Sequence, residues 1–119
     1  MTYKIKEVSE ITNVSQSKIR YYEKEGLLPD FNRDKNNIRV FSEKDIEIIN
    51  LVKCLRNIGM PMKEIRNNIN ILIDKNSNLS AKDILVEHKI KLEGQIDLLK
   101  KYIDDINSKL DKNLKWEYQ

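Results

Sequence analysis

From Leu85 onward, apolar side chains recur in two interleaved seven-residue series. One is Leu85, Leu92, Leu99 and Ile106; the other, offset by four, is Lys89, Ile96, Ile103 and Leu110. Alternating steps of three and four trace one stripe along an α-helix, and a stripe kept over more than three repeats is a coiled-coil seam. Ser80 is a good N-cap. The spacing therefore predicts one helix from Ser80 to about Leu114, roughly 50 Å long at 1.5 Å per residue. Its other faces are polar, so the stripe needs a partner to cover it. A second copy is the simplest cover, giving a homodimer whose seam is Leu85, Leu92, Ile96, Leu99, Ile103, Ile106 and Leu110. Lys89 interrupts the seam and helps to fix register. The alternative is a helix folded back on its own N-terminal half. Leu114, Trp116 and Tyr118 are expected either to meet the partner or to fray.

A chain of 119 residues has room for one domain and an extension. The polar stretch Lys75-Asn76-Ser77-Asn78 divides it into a domain at 1–75 and a linker, long helix and tail at 76–119. Net charge is only +3. The excess sits in residues 1–75, where 14 Lys and Arg stand against 11 Asp and Glu. No signal peptide and no apolar run near 18 residues is present, which predicts a cytoplasmic protein with no membrane partner. The single cysteine excludes an intramolecular disulfide and fits a reducing compartment. There is no Gly-rich phosphate loop, no nucleophile with a base partner and no metal-ligand cluster. The expectation is therefore a protein that is not an enzyme and carries no cofactor and no metal.

The stretch Val14 to Leu28 carries most of the functional signal. Ser15 is an N-cap and Gly26 a helix stop. Ile19 points inward, while Gln16, Ser17, Lys18, Arg20 and Tyr21 face outward. Upstream, Ile5, Val8 and Ile11 repeat at helical spacing, and Thr12-Asn13-Val14 makes a tight connection. Two short helices so joined are a helix-turn-helix, whose second helix enters the major groove of DNA. Residues 29–41 read as a β-hairpin wing turning at Asp34-Lys35-Asn36-Asn37, because Asn tolerates the left-handed conformation. Ser42 caps a further helix with Ile46, Ile49, Leu51, Val52, Leu55 and Ile58 on its apolar face. Pro61 opens the next helix, which carries Ile65, Ile69, Leu72 and Ile73.

Early residues of a recognition helix approach base edges and the flanks hold phosphates. Gln16, Ser17 and Lys18 are thus the candidates for base readout. Ser15, Arg33, Lys35 and Asn36 are further candidates for phosphate or groove contacts.

Several motifs in order resemble the MerR-type transcriptional regulators. They are Arg20-Tyr21-Tyr22-Glu23 with Gly26-Leu27-Leu28-Pro29, the wing Asn36 to Ser42, and Leu55-Arg56-Asn57-Ile58-Gly59-Met60-Pro61, followed by the long helix. The resemblance implies a mostly α fold: a winged helix-turn-helix with a small β-hairpin wing, then a coiled-coil dimerisation helix paired antiparallel. It implies that Arg20 and Tyr21 touch DNA backbone or central base pairs, and that Tyr22 is a contact or a buried residue. It also implies DNA contacts for Arg39 and Arg56, so that Arg39→Ala is expected to lower the salt slope of binding by about one unit. The implied partners are double-stranded promoter DNA and RNA polymerase at that promoter, the dimer distorting the promoter spacer in response to an inducer. A small DNA-binding architectural module without an inducer is the competing reading.

Metal-sensing relatives need several thiolates, and this chain offers Cys54 and His88 alone. Lys53 to Pro61 resembles the short regulators responding to aldehydes or thiol stress, in which a lone cysteine reacts. Lys53 and Arg56 beside Cys54 favour a thiolate; burial as a small hydrophobe is the opposing reading. His88 is expected to be solvated or to pack at the flank of the seam.

Overall fold

The computed structural model describes residues 1–112; Leu114, Trp116 and Tyr118 lie outside them. The elements are β1 (Tyr3–Lys4), α1 (Ile5–Thr12), α2 (Gln16–Lys24), β2 (Asn32–Arg33), β3 (Arg39–Phe41), α3 (Glu43–Asn57), α4 (Met62–Leu72) and α5 (Ala81–Asp111). Two compact units are present, one covering Met1–Ile84 and one running from Leu85 onward.

The first unit is a helical core with a three-stranded antiparallel sheet of order β1-β3-β2. Tyr3 pairs with Phe41 and Lys4 with Val40, while Asn32 pairs with Val40 and Arg33 with Arg39. The sequence pattern marks the hairpin but not β1. Fourteen buried residues form the core, among them Val8, Ile19, Leu27, Phe41, Ile49, Leu55, Met60, Ile65 and Ile84.

Local chemistry explains where the helices start and stop. Ser15 Oγ accepts from the Lys18 N–H at 3.2 Å. Gly26, at φ +74°, ends α2: its N–H donates to Glu23 O and that of Leu27 to Tyr22 O. This pair of bonds is a Schellman stop, closed by contact between the apolar residues that flank it; Leu27 and Tyr22 are both buried. Gly59 repeats it after α3, where its N–H donates to Arg56 O and Met60 N–H donates to Leu55 O. Ser42 and Asp45 form a reciprocal capping box on α3, and Ser80 and Asp83 form another on α5.

Two apolar assignments need correction. Ile11 is 54% exposed, and Thr12 takes the inward place beside Val8. Positions five, eight and twelve of so short a helix cluster within one narrow stripe, which leaves eleven about a quarter-turn off it. Ile58 also stands outside the core, because α3 ends at Asn57. The buried Ile48, not singled out in the sequence, completes that face.

The second unit is the body of α5, a helix of 31 residues overall and therefore about 46 Å long. Its seam residues Leu85, Leu92, Ile96, Leu99, Ile103, Ile106 and Leu110 are 37–68% exposed. His88 is buried rather than solvated.

Candidate nucleic-acid interface

Helix α2 is fixed by Ile19 and Tyr22, which are both buried. Ser15, Ser17, Lys18, Arg20 and Tyr21 are exposed along its free side, and Gln16 is half-buried. Tyr22, read from sequence as contact or core, is 6% exposed, and burial pushes its phenol pKa up. The connection into α2 is rigid. Asn13 takes φ +56°, Thr12 Oγ1 accepts from Val14 N–H, and Ser9 Oγ donates to Val14 O at 2.7 Å.

Beside α2 runs a groove of about 470 Å³ whose walls include Ser15, Lys18, Tyr21, Lys53, Arg56 and Asn57. Three cations line it and no carboxylate does. A concave, one-signed surface focuses the field on an anion. Lys53 is held there by donating to Thr12 O at 3.0 Å. Neither Lys53 nor Asn57 stands out in the sequence as a groove residue. Their offsets of three and four around Arg56 and Lys53 on one helix were the available signal.

The wing turns as expected. Asn37 takes φ +64°, and Asp34 Oδ1 accepts from the N–H groups of Asn36 and Ile38. Lys35 and Asn36 are exposed at its tip. Arg33 is exposed as well, with its guanidinium 5.0 Å from the Phe31 ring centre and donating to Asn37 O.

Arg39 is not an exposed surface cation. Its side chain is only 11% exposed and pairs with Glu23 at 2.9 Å and Asp45 at 3.7 Å. It donates to the carbonyls of Asp30 and Val40 and stacks on the Phe31 and Phe41 rings at 4.9 and 4.2 Å. The local cause is the fold itself: β3 lies between its two neighbours, and its first residue faces the end of α2 and the start of α3. Asp45 is fully buried there. Desolvation raises its pKa; the N–H donors of Ser42 and Asp30 and the Arg39 charge oppose that rise.

Cys54 is exposed on α3 in the single chain. Among the described residues, no group of three or more His, Cys, Asp or Glu is arranged to hold a metal ion. No described helix is long and apolar enough to cross a membrane.

The sequence profile described as MerR HTH family regulatory protein matches residues 3–70. The chain belongs to the MerR family. The match spans the helix-turn-helix, the wing and most of α4, so the family assignment rests on the unit that holds the groove. An HTH-type transcriptional regulator of Haemophilus influenzae is 35% identical over 111 residues, covering 92% of this chain and 82% of its own. The HTH-type regulator YyaN of Bacillus subtilis is 31% identical, over 93% of this chain and 90% of its own. Among solved structures, HiNmlR, a MerR family regulator lacking the sensor domain and bound to promoter DNA, superposes with a TM-score of 0.66. It shares 35% identity over 93% of this chain and 85% of that one. Membership in the MerR family makes this a DNA-binding protein of transcription regulation.

Proposed function

We propose that the chain is a homodimeric regulator that binds a pseudo-palindromic promoter site and distorts it. The observation that carries the reading is the acid-free cationic groove beside the exposed side of α2. A phosphate in that groove, held by Lys53 and Arg56, sets the depth at which Gln16, Ser17 and Lys18 meet base edges in the major groove. Arg20 and Tyr21 extend the same surface. Arg33, Lys35 and Asn36 give the wing a second grip on the backbone. Tyr22 acts from within, by packing.

The exposed α5 seam supports the two-fold dimer. An uncovered stripe of seven large apolar residues is costly in water, and each stabilises by about 1.5–3 kcal/mol when covered, as an upper estimate. A two-fold protein matches two half-sites. Bending the DNA between them costs several kcal/mol, so an inducer acts by favouring the distorting state by a comparable difference. Aligned promoter elements then serve RNA polymerase. HiNmlR, the relative bound to promoter DNA and lacking a sensor domain, supports promoter binding by a chain of this build. The inducer reading places an electrophile or thiol oxidant on Cys54, whose exposure supports access.

The test is a titration of the full chain on the duplex upstream of its own gene, across salt concentrations. Each phosphate contact contributes about 0.9 to the slope of log K against log salt. Arg56→Ala is expected to lower the slope by about 1.8 for a dimer, at the same two-state melting as the parent. An unchanged slope removes Arg56 from the interface. In the same titration, a thiol oxidant is expected to change DNA distortion only while Cys54 is present; an effect that survives Cys54→Ser ends the sensor reading.

A further inference from the structure

The wing and α2 are separate grips on one duplex, so the angle between them decides whether both engage together. Arg39 reaches from one to the other. Arg39, the first residue of β3, reaches Glu23 in the last turn of α2 at 2.9 Å and the Asp30 carbonyl in the intervening loop at 2.6 Å. It also reaches Asp45 at the start of α3 at 3.7 Å. The Phe31 and Phe41 rings face its guanidinium at 4.9 and 4.2 Å. Ser42 tightens the same knot by donating from Oγ to Asp30 at 2.8 Å. A planar guanidinium with five donors suits such a junction, and an ammonium on a flexible stem does not.

We propose that Arg39 is a positioning residue for DNA recognition. Clamped by Glu23, Asp30 and Asp45, it fixes the wing against the recognition helix, and it serves DNA binding without itself neutralising a phosphate. The proposal rests on the DNA-binding reading above and deepens it. The two possible roles of Arg39 have opposite electrostatic signatures. A phosphate contact adds to the salt slope, and a neighbouring carboxylate such as Glu23 weakens it. A clamp adds no phosphate contact of its own, and Glu23 is the group that makes it work.

Two variants of the full chain separate these roles. Glu23→Gln keeps the shape and breaks the ion pair. Arg39→Lys keeps the charge and gives up the fork and the ring stacking. Both are titrated on the upstream duplex and on a scrambled duplex of the same composition, across salt and below their melting temperatures. The expected result for each is a loss on the order of tenfold on the upstream duplex, comparable to one base contact. Because the wing's grip is on the backbone, scrambled DNA is held more weakly as well, and the salt slope does not steepen. A spectroscopic readout accompanies it: the Arg39 Nε–H resonance is slow to exchange in the parent, free and DNA-bound, and loses that protection in Glu23→Gln.

Tighter binding of Glu23→Gln to both duplexes with a steeper slope overturns the proposal, since a freed Arg39 would then be reaching phosphate. Parent-like affinity and specificity in Glu23→Gln overturns it too, whatever the change in melting temperature. If Arg39→Lys melts below the assay temperature, Glu23→Gln alone decides. A parent chain that does not prefer the upstream duplex to the scrambled one overturns the DNA-binding reading and this proposal together.

Discussion

Asp34 organises the wing almost by itself. Its carboxylate accepts from Ile38 and Asn36 N–H, its own N–H donates to Ile38 O, and Lys4 stands 3.6 Å away. The hydrogen bond from Ile38 leads these in holding the carboxyl below the usual value of 3.8. A folded pKa below the unfolded one means that the contribution is complete above the unfolded value. It is lost as pH falls through the folded one. Acidification below about pH 4 is therefore expected to lower amide protection at Ile38 while core amides of α3 keep theirs. Hydrogen exchange followed by NMR checks this, and an Asp34→Asn chain should show no such acid step. The turn was legible because Asp and Asn carry their own local chemistry. The fate of Arg39 was not. Nothing in an isolated arginine says that Glu23, sixteen positions upstream, and Asp45 will meet it.

At the scale of elements, starts and stops were legible because caps are local. Ser15, Ser42 and Ser80 each accept from an N–H three residues on, and Gly26 and Gly59 take the positive φ that ends a helix. Strand β1 was not legible, since Tyr3 and Lys4 become a strand only by pairing with Phe41 and Val40. Ile11 misled for a related reason: three apolar residues fit a helical period, yet so short a helix buries only the stripe its neighbours cover. Ser42 has two duties, capping α3 and donating to Asp30. Ser42→Ala is expected to destabilise the fold by about 1–2 kcal/mol, read from a lower urea midpoint at unchanged slope. A midpoint equal to the parent's would show that the cap contributes nothing net.

For the whole molecule, the seven-residue repeat was legible as a stripe, and α5 carries that stripe exposed in the single chain. The partner is a property of two chains, which no periodicity in one can display. Leu99→Asp sets a charge in the middle of the seam. Under the proposed dimer, sedimentation equilibrium is expected to find this variant monomeric at concentrations where the parent sediments as two chains. Its operator affinity should fall by a factor on the order of a hundred, because the second half-site is no longer delivered at high effective concentration. A dimer that survives the substitution would place the interface elsewhere. The strand order has a consequence of a different kind. With β3 in the middle, both rims of the sheet are strands of two residues. A rim so short offers a stray β-segment too few unpaired amides to add on in register. Crowded or overproduced, the folded domain therefore has little edge from which an ordered aggregate can grow.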